Sequence, residues 1–138
     1  MIGVIVVTHG QLAHELVNAA QTIVGALPQF VAVSMGWHDD PTVAREAISG
    51  AIARLGGGDG VLILTDMFGG TPSNLGLTFL EANRVEIITG VNLPMLIKLA
   101  HLQSSSDLLG VAREMREVGR NAIWVASDLL HAEVKAGS

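Results

Sequence analysis

An α/β fold, a three-layer αβα arrangement on a mostly parallel open sheet, is predicted by three features of the sequence. Short apolar runs rich in β-branched residues recur along the chain, and two of them, Val4-Ile5-Val6-Val7 and Val61-Leu62-Ile63-Leu64, are apolar throughout. Such runs read as strands buried on both faces. The runs alternate with helix-period stripes across short loops, which implies parallel strands with right-handed crossovers. The composition is aliphatic: 49% of the 138 residues are hydrophobic and 4% aromatic, with a mean hydropathy of +0.48. A chain of this length suits one domain, residues 1–138, around one core.

The first strand ends in Thr8-His9-Gly10, and Leu12, Leu16, Ala19, Ala20 and Ile23 then begin a helical stripe that Gly25 and Pro28 close. Phe30-Val31-Ala32-Val33-Ser34 reads as a second strand, running into the loop Met35-Gly36-Trp37-His38-Asp39-Asp40. Asp40-Pro41 is a helix start, with a side-chain acceptor at the cap and proline where no donor is missed. Val43, Ala44, Ala47, Ile48, Ala51, Ile52 and Leu55 form the apolar face of that helix, and Gly56-Gly57-Gly58 ends it.

The third strand, 61–64, delivers Thr65-Asp66-Met67-Phe68-Gly69-Gly70-Thr71-Pro72-Ser73-Asn74. Thr71-Pro72 repeats the cap-and-proline pattern, opening a helix expected to reach about residue 82. Val85-Glu86-Ile87-Ile88-Thr89 is a fourth strand, followed by Gly90-Val91-Asn92-Leu93-Pro94 and a short helix with Met95, Leu96, Leu99 and Leu102. A loop at 104–106 and a cap at Asp107 precede a helix carrying Leu108, Val111, Ala112, Met115 and Val118. Residues 122–126 form a candidate fifth strand, and the tail from about 128 is expected to fray.

Bulk properties exclude several functions. No apolar run approaches the ~18 residues of a membrane span, and the start lacks the basic region of a signal peptide. The chain has no cysteine, which removes disulfides and thiolate sites and fits a cytoplasmic protein. Lys and Arg number 8 against 13 Asp and Glu, a net charge of -5. That balance disfavours nucleic acid and leaves room for a basic protein partner.

Parallel strands put the ends of the first and third runs at one sheet edge, where open α/β sheets carry their ligands. His9 and Asp66 then meet if those strands are neighbours. A carboxylate holding one imidazole nitrogen leaves the other as a free nucleophile. Gly69-Gly70-Thr71 would offer N–H groups to an oxyanion. Nucleophile, orienter and anion cradle are the parts phosphoryl transfer needs. Taken singly, His9 also reads as a solvated turn residue, Asp66 as a loop cap, and Gly-Gly-Thr-Pro as an ordinary helix entry. His14 lies off the helical face of His9 and makes no metal pair with it. His38 reads as a solvated imidazole before a helix cap, and His101 and His131 have no evident partners. One histidine and a carboxylate fall short of a catalytic zinc site, and neither a P-loop nor a dinucleotide fingerprint is present.

Thr8-His9-Gly10, Asp66 with Phe68-Gly69-Gly70-Thr71-Pro72-Ser73-Asn74, and Gly90-Val91-Asn92-Leu93-Pro94-Met95-Leu96 together resemble the mannose-type IIA component of the bacterial phosphoenolpyruvate:sugar phosphotransferase system. The resemblance implies that His9 accepts a phosphoryl group on Nε2 from the phosphocarrier HPr and passes it to a IIB component. It implies that Asp66 holds Nδ1, and that Thr8, Gly69, Gly70, Thr71 and Ser73 line the phosphate pocket. It implies four parallel strands plus one antiparallel C-terminal strand, here 122–126, exchanged in a homodimer, with no metal or nucleotide at the site. Met35, Met67 and Phe68 are candidate apolar contacts for the partner or, equally, packing beneath the loops. No linker and IIB domain follow within the sequence, so a separate IIB chain is the expected acceptor. A stand-alone regulatory module phosphorylated at the same histidine is the alternative, and the dihydroxyacetone kinase branch, which lacks the Gly-Gly-Thr-Pro pattern, is a more distant relative.

Overall fold

The computed structural model describes residues 1–102 and 106–137. Four strands, β1 (Gly3–His9), β2 (Phe30–Met35), β3 (Val61–Thr65) and β4 (Val85–Thr89), form a sheet in the order β2-β1-β3-β4. Each neighbouring pair runs parallel. Among the described residues there are also six helices: α1 (Leu12–Val24), α2 (Pro41–Leu55), α3 (Thr71–Leu77), α4 (Leu93–Ala100), α5 (Leu108–Asn121) and α6 (Ala126–Gly137).

The two faces of β1 feed two cores. Val4 and Val6 pack in a cluster with Ala13 and Val17 of α1, Met95 and Leu96 of α4, and Val111 and Met115 of α5. Ile5 and Val7 point the other way, into a cluster with Ala44, Ile48 and Ala51 of α2 and Leu75 of α3. Alternating residues of a strand face opposite sides, so a strand covered by helices on both sides has to be apolar throughout. The three αβα layers follow from that one feature of β1 and β3.

The chain leaves β1 outward to β2, then crosses back to β3 on the other flank of β1. The connections therefore diverge between β1 and β3, and in open α/β sheets such a switch point opens a crevice at the carboxyl ends of the strands. Both His9 and Asp66 lie at this crevice.

Several expectations are corrected. The buried face of α1 is Ala13, Val17 and Ala20, whereas Leu12 and Ile23 are exposed. The same offset leaves Val43 of α2 in solvent. Small residues face the sheet because these helices lie close to it, and the larger neighbours turn outward. Helix α3 ends at Leu77 and takes Gly70, not Thr71, as its cap, with no side-chain cap bond. Gly70 has φ +90° and ψ 170°, a conformation open essentially to glycine alone.

Residues 122–126 form no strand within the chain. Ala122 caps α5, and α6 begins at Ala126 with the Asp128 N–H donating to the Val125 carbonyl at 3.0 Å. Ile123, Trp124 and Val125 stay exposed, and no described strand of the same chain pairs with them. The tail, expected to fray, is helical to Gly137. Asp107 caps α5 through the Gly110 N–H as expected, while residues 104 and 105 of the predicted loop fall outside the described residues. No described helix is long and apolar enough to cross a membrane.

Candidate functional site

His9 is the last residue of β1, and the turn after it is tightly held. The Gly10 N–H donates to the Met35 carbonyl at 2.7 Å, tying the turn to the end of β2. Gly10 sits at φ +58°, a left-handed conformation that costs glycine least. Helix α1 then starts without a conventional cap: Gln11 makes no side-chain cap bond. Its orphan donors are met from the sheet instead. The Ala13 N–H donates to Thr8 Oγ1 at 2.6 Å, and the His14 N–H approaches Ser34 Oγ at 3.4 Å. Thr8 and Ser34 are register partners across β1 and β2, so two adjacent strands anchor the helix that follows His9.

Asp66 immediately follows β3, the other neighbour of β1. Its Oδ2 accepts two hydrogen bonds from His9, one from the backbone N–H at 3.0 Å and one from ring Nδ1 at 2.8 Å. Its Oδ1 accepts the Met67 N–H at 3.1 Å. Burial pushes the Asp66 carboxyl up, but the bonds from the His9 ring and backbone and the attraction to the ring together outweigh it. The group is held below its ordinary value. An ionised carboxylate only accepts hydrogen bonds, so Nδ1 carries a proton, and in the neutral ring it is Nε2 that keeps the lone pair. The His9 side chain is 52% exposed and that of Asp66 14%, so the ring lies toward solvent and the carboxylate that orients it lies deeper.

The loop before α3 runs beside Nε2. A Cβ added at Gly70 would stand 3.2 Å from Nε2 and 3.1 Å from Cε1, so the absence of a side chain there is what leaves the ring room. The N–H groups of Gly70 and Thr71 donate to no acceptor among the described residues, whereas the Gly69 N–H donates to Ser73 Oγ at 3.2 Å. Of the residues expected around a phosphate, Gly70 and Thr71 line a cleft of about 580 Å³ that His9 shares with Gly36, Trp37 and Met67. Thr8 and Ser73 are fully buried, and their hydroxyl oxygens accept backbone N–H groups beneath the site.

The third motif, Gly90 to Pro94, acts through the backbone. The Gly90 and Val91 N–H groups both donate to the Thr65 carbonyl, at 2.9 and 3.0 Å, which steadies the residue before Asp66. Asn92 caps α4 through the Met95 N–H and donates its amide to the Gly119 carbonyl of α5 at 3.0 Å. A Cβ at Gly119 would stand 2.7 Å from Met95 Cε, so a side chain there would displace the end of Met95 between α4 and α5.

Met67 and Phe68 are exposed beside the cleft, as a contact surface requires, but Met35 is buried at 7%. As the last residue of β2 it packs with Val33 and Ile48 and forms the floor, not the surface. The large exposed side chain on that flank is Trp37, which the sequence reading passed over. A tryptophan in a loop at the carboxyl end of a strand was the available signal. Elsewhere, His14 Nδ1 lies 2.6 Å from Ser34 Oγ.

A family model described as the PTS system fructose IIA component, EIIA-man, matches residues 3–115. The chain is 28% identical over 131 residues to a fructose-specific EIIA component of the phosphotransferase system from Bacillus subtilis (strain 168), covering 94% of this chain and 90% of that one. It is 28% identical over 132 residues to the mannose-specific EIIAB component of Escherichia coli (strain K12), of which the match spans 39%. Among solved structures, the mannose/sorbose specific IIA subunit from Enterococcus faecalis superposes with a TM-score of 0.75 at 28% identity, over 89% of this chain and 92% of that one. The IIA protein associated with the fucose utilization operon of Streptococcus pneumoniae superposes with a TM-score of 0.82 at 25% identity, over 94% and 96%. With the sheet order, the strand-end histidine and these matches in agreement, the chain belongs to the mannose-type EIIA family of the phosphoenolpyruvate:sugar phosphotransferase system.

Proposed function

We propose that His9 is the phosphoryl carrier of this chain, taking phosphate on Nε2 from HPr and passing it to a IIB component in sugar uptake. The observation that carries this reading is the 2.8 Å bond between Asp66 Oδ2 and His9 Nδ1, which places the proton of the neutral ring on Nδ1 and makes Nε2 the nitrogen available to attack. In the transfer, the Nε2 lone pair attacks phosphorus in line, a new N–P bond forms, and the donor's N–P bond breaks with its electrons returning to the donor imidazole. No proton has to move at His9: Nδ1–H stays on the ring, and the positive charge the ring acquires is balanced by Asp66. Gly70 and Thr71 offer N–H groups to the phosphoryl oxygens and no base to activate water, while Thr8 and Ser73 brace the pocket from below.

The same reading makes residues 1–138 a single cytoplasmic IIA domain. It also makes residues 122–126, with Ile123, Trp124 and Val125 exposed, the antiparallel strand exchanged between two copies. An apolar segment without pairing in its own chain suits that role, and size-exclusion chromatography with light scattering tests it. Incubation with phosphoenolpyruvate, enzyme I and HPr should place an alkali-stable, acid-labile label on His9 and transfer it to a cognate IIB. Label retained in a His9→Ala variant refutes the assignment.

A further inference from the structure

Three large apolar side chains stand in solvent around the His9 imidazole: Trp37 at 98% exposure, Phe68 at 76% and Met67 at 55%. Trp37 and Met67 line the same cleft as His9, from opposite flanks. Trp37 is not on a loose loop. The Gly36 N–H donates to Asp39 Oδ2 at 2.6 Å, the Asp39 N–H returns to the Gly36 carbonyl at 3.2 Å, and Asp40 caps α2 through the Thr42 N–H at 2.9 Å. The backbone of the turn is therefore held on both sides of Trp37, whose indole projects into solvent. A turn whose backbone is already ordered loses less entropy on contact than a loose one, and tryptophan is among the residues most enriched at the energetic centres of interfaces.

Charge narrows the occupant. No Lys or Arg occurs before Arg45, and none between Arg54 and Arg84. The three loops around His9 thus carry no Lys or Arg, while Asp39, Asp40 and Asp66 give them carboxylates. A partner that settles here needs an apolar face to cover Trp37 and a rim of Lys or Arg to meet the carboxylates.

We infer that Trp37, with Met67 and Phe68, is the docking anchor for the phosphohistidine donor that loads His9, an apolar-faced and basic-rimmed carrier. The inference rests on His9 being the phosphoryl acceptor. Trp37 acts by contact with the carrier and takes no part in the chemistry at phosphorus.

The test compares wild type with Trp37→Ala, using phosphorylated HPr over a concentration series and, separately, phosphoramidate, a donor too small to need a docking face. The KM for phosphorylated HPr should rise about 10-fold or more, with the maximal rate and the phosphoramidate rate unchanged. Trp37→Phe should recover most of the loss, and raising the salt should raise the wild-type KM. An unchanged KM in Trp37→Ala overturns the inference. So does an equal loss with phosphoramidate, or a defect confined to discharge onto IIB. Wild type that neither donor labels at His9 overturns the carrier reading and this inference with it.

Discussion

His9 and His14, five residues apart on either side of one turn, are both held at Nδ1 by an oxygen from a neighbouring strand. For His9 the oxygen is Asp66 Oδ2 at 2.8 Å; for His14 it is Ser34 Oγ at 2.6 Å. The distances are alike and the chemistry is not. A carboxylate can only accept, so it commits the His9 ring to one tautomer and offsets a positive charge on it. A hydroxyl both donates and accepts, so Ser34 leaves the His14 tautomer open and offers no charge. Geometry orients both rings, but only the carboxylate gives its ring the fixed tautomer and counter-charge that the proposed nucleophile needs.

The largest effect should come from making the His9 partner resemble that of His14. Asp66→Asn keeps the shape, but its amide can donate as readily as accept and the counter-charge is gone. Labelling by HPr should slow by roughly 10²-fold or more, with circular dichroism unchanged. A variant labelled at the wild-type rate would show that position and not tautomer decides. The same variant has a pH signature. The folded Asp66 carboxyl lies below its ordinary value, so its contribution to stability is complete above about pH 4 and is lost as pH falls through the lower folded value. Melting curves of wild type should lose that contribution on acidification, and those of Asp66→Asn should lack the matching portion of the slope.

Next in size is Gly70→Ala. The added carbon would meet Cε1 and Nε2 of His9 at 3.1 and 3.2 Å, and the φ of +90° is unfavourable to any side chain. Stability should fall by about 1–3 kcal/mol, and labelling should slow about 10-fold as the ring is displaced from line. A single-turnover assay beside a thermal melt separates the two. Equal labelling of variant and wild type would mean that the loop relaxes away from the ring.

The smallest effect should follow from Ser34→Ala, which removes the oxygen holding His14. It should cost about 1 kcal/mol or less, through the weakened start of α1, and leave labelling of His9 unchanged. A marked loss of labelling would show that the His14 side of the turn also sets the ring of His9, and the contrast between the two histidines would weaken.

Much of this arrangement is legible in the residues. The non-alternating runs at 4–7 and 61–64 announce strands covered on both faces, and Asp40-Pro41 and Asp107 announce helix starts that the structure contains. The site is legible as far as His9 and Asp66, because both stand at the ends of parallel strands. What was not legible depends on how closely elements approach. Nothing local distinguishes Met35 as floor from Trp37 as surface, or says that the Thr8 hydroxyl serves the Ala13 N–H. The helical stripe of α1 is readable to within about one residue, and that residue decides whether Ala13 or Leu12 faces the sheet.

Local chemistry by itself determined the element types, their order, and the presence of a histidine, a carboxylate and a glycine-rich turn at strand ends. Those properties arise from side-chain period and backbone preference over a few residues, and they need no knowledge of distant segments. Tertiary structure alone decided that β3 lies beside β1, that Asp66 Oδ2 reaches His9 Nδ1 57 residues away in sequence, and that Gly70 leaves the ring open. These depend on strand order and on approaches of about 3 Å between segments remote in the chain, which are fixed only when the two cores close on either side of the sheet.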